Sequence, residues 1–387
     1  MCSNVSIWVV DRYEIRGRVV TSERVLDDAV IEISGDRIRD IRTVEQYSGA
    51  GSLPFRGTVI PGLVDIHNHG GHGHRFDTTD PEQARAAARY HHRQGSTTVL
   101  ASIVTADVDT MVAQTAALAG VAAGGEIAGI HVEGPFLSQV RCGAQDPRHL
   151  IDPDPVVAER LLEAGGGWLR VLTLAPELPG SEVVADRLAG AGVVVALGHS
   201  DAGYDRFRAA LVPDGHAALV THLANGMAPL HHRDPGAVAA ALVRAAAGEV
   251  VVELIGDGVH VESGFGALVF ATAPDRVALI TDAMQAAGLP DGQYRLGPQT
   301  VRVEAGVARV PSGAIAGGTS TLAACLRWAV LECGIGLVEA VRAAATTPAR
   351  VIGADGIGDL RPGLRADVVI LDEDLRPREV MRGGRWL

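Results

Sequence analysis

Eight short apolar runs recur through the middle of the chain, near residues 59–66, 97–103, 127–132, 169–174, 193–197, 217–222, 250–255 and 277–281, with helix-like stretches between them. Few architectures absorb that pattern. A strand buried on both faces reads as a continuous apolar run, and strict alternation of strand and helix leads to an α/β fold with a parallel sheet. The intervening stretches carry helix punctuation: Pro81 opens one that runs to Gln94, with Gly95 just past its end, and Ala106 to Val121 reads as another. Eight such repeats predict a TIM-like (β/α)8 barrel over residues 58–355. A doubly wound sheet has the same alternation, so periodicity by itself leaves that alternative open.

The two ends of the chain read differently. Val5–Val10, Glu14–Val20, Ala29–Ile33 and Arg37–Ile41 are β-rich, with Ser34-Gly35-Asp36 as a hairpin turn, and so are Ala366–Asp372 and Arg378–Arg385. Neither end has enough strand to bury a core alone. Residues 1–57 and 356–387 are therefore expected to share one small, discontinuous β-sandwich domain, with the barrel inserted. A β-hairpin near residues 292–310 is expected after the last barrel strand, followed by a closing helix from Thr319 to Cys333.

Composition removes several classes of function. A formal charge of −12 argues against a nucleic-acid partner. No uninterrupted hydrophobic run is long enough to span a membrane, and the first residues lack the basic-then-apolar pattern of a secretory signal, so a cytoplasmic protein is expected. Cys2, Cys142, Cys325 and Cys333 are scattered and read as free thiols. His91-His92 and His231-His232 read as surface residues without an assigned role.

The chemistry collects at the ends of the apolar runs. His67 and His69 end the first, where positions i and i+2 share a face. His131-Val132-Glu133 ends the third, Gly198-His199 the fifth and Thr221-His222 the sixth; Asp257 to His260 follows the seventh, and Thr281-Asp282 ends the eighth. In a barrel these ends converge on one face, where imidazoles and carboxylates form a divalent-metal site. Such a cation lowers the pKa of its water from about 15.7 to about 7. Asp282 is the expected proton acceptor, serving as general base and then as general acid.

These segments, with Pro61–Gly70, Leu289–Gly292, Ile315–Gly318 and Leu360–Asp367, resemble the N-acetylglucosamine-6-phosphate deacetylases of the amidohydrolase superfamily along essentially the whole chain. The resemblance implies a (β/α)8 barrel with a small β-sandwich, a homodimer, and removal of an acetyl group from N-acetylglucosamine 6-phosphate. It implies that Glu133, His199 and His222 hold the main metal, that His67 and His69 with Glu133 hold a second where two are bound, and that Asp282 is catalytic. Zinc is the first expectation, with Fe, Mn or Co fitting the same donors. The chain has no lysine, so no carboxylated lysine can bridge two metals here, and Glu133 is the natural substitute.

For the substrate, the resemblance implies that Arg233 reaches the neighbouring subunit's site to bind the phosphate in a bidentate fork. Asn225 and Gly226 add phosphate contacts, His260 binds the sugar, and Ile315, Ala316 and Gly317 line the acetyl and sugar side. Gly226 stands where Ala is usual. Ala144 is followed by Gln145 where the family typically has His; a glutamine keeps a donor and an acceptor but cannot be cationic, and this bears on which amino sugar is taken. The other readings are an amidohydrolase acting on a related N-acetylated amino sugar or amino acid, and a non-catalytic binding protein on the same scaffold.

Overall fold

The computed structural model describes residues 12–211 and 217–387. The strand expected at Val5–Val10 and the thiol of Cys2 lie outside them. Eight parallel strands form one sheet in sequential order: Val64–Asp65, Thr98–Ile103, Gly129–Glu133, Leu169–Leu174, Val194–Leu197, Ala217–Val220, Val251–Ile255 and Val277–Ile280. Sequential parallel order with a helix after each strand is barrel topology, and it removes the doubly wound alternative. The first and eighth strands meet just past their ends, where His69 N–H donates to the Ala283 carbonyl (2.7 Å) and Asp282 N–H to the His67 carbonyl (3.0 Å).

The helices begin where side chains can cap them. Asp80, Asp107 and Asp154 accept backbone N–H groups at the starts of Pro81–Arg93, Val108–Ala123 and Pro155–Gly165, and Pro occupies the first position of the first and third. The closing helix is Leu322–Leu331, shorter than its expected span because Thr321 caps it through Ala324 N–H.

The barrel interior is layered. Val64, Ile66, Leu100, Val171, Ala196, Leu219, Val251 and Ala278 fill the lower part, and Ala349, from the helical run after residue 337, packs beneath them. Above lies a polar layer. His131 bonds Ser102 Oγ through Nδ1 (3.0 Å) and Thr173 Oγ1 through Nε2 (2.9 Å), and Thr173 in turn bonds Thr221 (2.8 Å). His131 is thus a satisfied structural residue, held neutral by burial and by the neighbouring His67.

The sandwich expected from the chain ends takes the form of one continuous sheet among the described residues. Its order is Arg385–Trp386, Pro377–Arg382, Val368–Leu371, Phe55–Pro61, Arg12–Val20, Val25–Ser34, Arg37–Thr43. Ala366 N–H donates to the Asp36 carbonyl and Gly384 N–H to the Ala366 carbonyl, so the sheet curls over its own core of Ile15, Val19, Ile31, Val59, Val368 and Ile370. The opposite side chains, among them Val20, Ile60, Val369 and Leu371, join the apolar core shared with the barrel helices. The hairpin region is a three-stranded sheet, Gly292–Leu296, Gln299–Glu304 and Val307–Arg309.

His91 and His92 depart from the surface position expected of them. Both are buried on the inner side of Pro81–Arg93, and His91 Nε2 bonds the Gly70 carbonyl at 2.9 Å. His231 and His232 are exposed. Cys142, Cys325 and Cys333 are free thiols.

Candidate metal centre

Glu133, at the end of the third barrel strand, is the hub. Its Oε1 lies 3.0 Å from both His199 Nε2 and His222 Nε2, which are themselves 3.1 Å apart. On its other side His69 Nε2 is 3.4 Å from Oε2, His67 Nε2 is 3.7 Å from Oε1, and these two nitrogens are 3.1 Å apart. Asp282 Oδ1 closes the group at 3.1 Å from His69 Nε2 and 3.4 Å from His67 Nε2. Two triads result, His67–His69–Glu133 and Glu133–His199–His222, each with donor atoms close enough to share one ion.

The outer nitrogens of three of the four histidines fix their tautomer, while His222 Nδ1 has no hydrogen-bond partner among the described residues. His67 Nδ1 lies 3.0 Å from Glu253 Oε2, His69 Nδ1 3.2 Å from the Ser102 carbonyl, and His199 Nδ1 2.8 Å from the Arg141 carbonyl. Oxygen acceptors require the proton on Nδ1, which leaves each Nε2 lone pair aimed inward. Imidazole nitrogens facing one another at 3.1 Å need a proton or a metal cation between them. A hard or borderline divalent cation suits this set of nitrogen and carboxylate donors.

The electrostatics agree. Burial opposes charge on His67, but Glu253, Asp282 and Glu133 outweigh it and hold its pKa well above the ordinary value. His69 is pushed up to about 9 against the same burial, by Asp282 and Glu133. Burial also opposes charge on the two carboxylates, yet the imidazoles hold Glu133 well below its usual range and Asp282 down to about 2. The site draws positive charge to one point, which is the demand a divalent cation meets.

Three of these residues sit in left-handed backbone: His199 (φ 47°), His222 (φ 26°) and Asp282 (φ 48°). Non-glycine residues rarely adopt it, and surrounding hydrogen bonds must hold them there. Ser138 N–H donates to the His199 carbonyl and Glu253 Oε2 accepts His222 N–H, each bond spanning different barrel strands or loops.

A cavity of about 220 Å³ opens over the centre. Of the residues expected to bind substrate, Ala144, Gln145, Asn225, Gly226, His260, Ile315 and Gly317 line it, and Leu296 and Ala314 join them from the hairpin region. Ala316 does not. It is fully buried in the hairpin's apolar cluster, with its N–H bonded to the Ala308 carbonyl, so it backs the wall between its two neighbours. His260 Nδ1 bonds Asp257 Oδ2 at 2.8 Å, which turns its other nitrogen to the cavity side. Arg233 stands on an exposed loop outside this chain's own cavity, beside His232 Nε2 at 2.8 Å.

Gln145 faces two ways. Its amide nitrogen donates to Glu133 Oε2 at 2.6 Å and its oxygen accepts Thr105 N–H at 2.8 Å, so it fixes the shared carboxylate as well as lining the cavity. Sequence reasoning also passed over Glu253. The available signal was a lone carboxylate inside the apolar run Val250-Val251-Val252-Glu253-Leu254-Ile255.

Residues 58–387 match the profile of the amidohydrolase family. An N-acetylgalactosamine-6-phosphate deacetylase of Escherichia coli O157:H7 is 35% identical over 377 residues, covering 95% of this chain and 97% of the relative. An N-acetylglucosamine-6-phosphate deacetylase of Lysinibacillus sphaericus is 33% identical over 349 residues, covering 88% and 87%. Among solved structures, a variant of N-acetyl-D-glucosamine-6-phosphate deacetylase from Mycobacterium smegmatis, in complex with N-acetyl-D-glucosamine-6-phosphate, superposes with a TM-score of 0.92 at 41% identity. That match covers 97% of this chain and 99% of the other.

Proposed function

The chain belongs to the amidohydrolase family, and from that premise we propose that it hydrolyses the acetamide of N-acetyl-D-glucosamine 6-phosphate to glucosamine 6-phosphate and acetate. The observation that carries this reading is the convergence of two histidine pairs on Glu133 beneath a cavity lined by small and polar groups.

Glu133, His199 and His222 would hold the main cation, and His67 and His69 would share Glu133 with a second. Zinc is the assignment we favour, because imidazole nitrogen and carboxylate oxygen donors suit it, while Fe, Mn or Co would accept the same set. Bound there, a divalent cation supplies Lewis acidity toward the amide carbonyl and acidifies water. Asp282, on the cavity wall and ionised at neutral pH, takes the proton from water as its hydroxyl adds to the carbonyl carbon. It then passes that proton to the nitrogen as the C–N bond breaks, so one carboxylate serves as base and acid. His260 and Gln145 orient the sugar, Ile315 and Gly317 bound the acetyl side, and Asn225 with Gly226 faces the phosphate.

Arg233 acts in a homodimer, reaching the neighbouring subunit's phosphate; its exposure on a loop supports that role over one in its own cavity. No helix among the described residues is long and apolar enough to cross a membrane, and the free thiols suit the cytoplasm, where we place the protein.

A second reading changes only the sugar. The Escherichia coli relative is named for the galactosamine epimer, and Gln145 offers a neutral amide where a histidine is usual. Acetate release from both 6-phosphates and from unphosphorylated N-acetylglucosamine, together with elemental analysis, tests the assignment. Equal turnover of phosphorylated and unphosphorylated sugar would remove the phosphosugar reading.

A further inference from the structure

Glu253 is a carboxyl side chain buried inside the barrel. It lies in the seventh barrel strand, Val251–Ile255, and is only 1% exposed. The buried polar side chains Ser102, His131, Thr173 and Thr221 of other barrel strands and strand ends bond one another and leave Glu253 out. Its Oε2 receives both His67 Nδ1 (3.0 Å) and the His222 backbone N–H (3.1 Å), while Oε1 has no hydrogen-bond partner among the described residues. A carboxylate so buried and half-satisfied is costly unless positive charge lies near. His67 and His222 belong to different triads.

We propose that Glu253 is the positioning residue that makes His67 a metal ligand and ties the two halves of the centre together, so that cation occupancy of the His67–His69 half depends on it. The inference rests on the two-cation reading given above. Its physical basis is the contrast among the outer nitrogens. His69 and His199 donate to neutral carbonyl oxygens, whereas His67 donates to a carboxylate. A carboxylate partner fixes the tautomer more firmly and makes the inward nitrogen a stronger donor. The same oxygen holds the His222 amide at a left-handed backbone position, so a shift in one half is felt in the other.

The experiment compares the full-length wild type with Glu253→Ala, Glu253→Gln and His67→Ala. Each is stripped of metal and titrated with Zn²⁺ against a chromophoric chelator, with thermal melting alongside. The wild type is expected to show two classes of site. His67→Ala should lose one, and Glu253→Ala should weaken that same class by about 10–100-fold while affecting the other less. Glu253→Gln keeps one acceptor for the imidazole N–H and should fall between; it also carries the comparison if the alanine variant does not fold. Two results overturn the inference: wild-type affinities in both Glu253 variants while His67→Ala loses a class, or equal weakening of both classes in step with melting temperature. If the wild type and His67→Ala bind the same number of equivalents, the two-cation reading itself fails and takes the inference with it.

Discussion

The carboxylate of Asp65 accepts the Thr281 hydroxyl at 2.7 Å and the Thr281 amide at 3.3 Å, joining the first barrel strand to the end of the eighth. Asn68, between the two strand-one histidines, donates to the same carboxylate at 2.8 Å. His67 and Asp282 are therefore brought together by residues directly beside them in sequence. Asp65→Ala should leave several buried donors unmet and destabilise the fold by about 1–3 kcal/mol for each, read by denaturant unfolding. Unchanged stability would show that the closure does not need this pair.

Asp282→Asn keeps the shape of the side chain but cannot take a proton. It should lower kcat by about 10²–10⁴-fold while the Glu133–His199–His222 triad still retains metal. Measuring turnover and metal content on one preparation separates the two effects, and near-normal turnover would remove Asp282 from proton transfer.

Gly226 is confined by His199. Its backbone is left-handed (φ 59°), and a Cβ there would lie 2.8 Å from His199 Nδ1, the atom bonded to the Arg141 carbonyl. Gly226→Ala restores the residue usual at this position, so either the loop backbone or the His199 ring must shift, and a ring shift should weaken metal retention on the Glu133–His199–His222 side. Metal content after dialysis against graded chelator is the readout; an unchanged profile would mean the loop yields without moving the ligand.

Arg233→Ala should raise KM for the 6-phosphate by tenfold or more, as the loss of about 1.5–3 kcal/mol of charge-assisted bonding requires. Little change is expected for the unphosphorylated sugar. Because the loop is exposed and outside its own cavity, mixing Arg233→Ala with Asp282→Asn subunits should restore part of the activity in heterodimers. Absence of any such recovery would argue that Arg233 serves its own subunit.

The pH dependence of substrate affinity should follow His260. Burial opposes its charge, but Asp257 outweighs that and raises its pKa above 6.5, while Asp257 itself is lowered from 3.8 against burial by the same contact. The raised histidine gives stability present below pH 6.5 and lost as pH rises through its folded value. The lowered carboxylate gives stability present above 3.8 and lost as pH falls through its own. With cationic His260 donating to the sugar, KM should climb on the alkaline side. Asp257→Asn should move that climb to lower pH, and a KM–pH curve identical to wild type would dissociate the pair from binding.

Sequence determined which residues could meet. Apolar runs at barrel spacing, each ending in a histidine or carboxylate, are local signals, and His67, His69, Glu133, His199, His222 and Asp282 could be read from them because a closed parallel barrel brings all its strand ends to one rim. Tertiary structure decided what each does there. That His91 and His92 are buried, that Ala316 turns into the hairpin core, and that Glu253 reaches His67 and His222 at once all depend on inter-element packing and side-chain direction. Periodicity records only whether a position is covered; which atom covers it, across separations of 31 and 186 residues for Glu253, is set when the sheet closes.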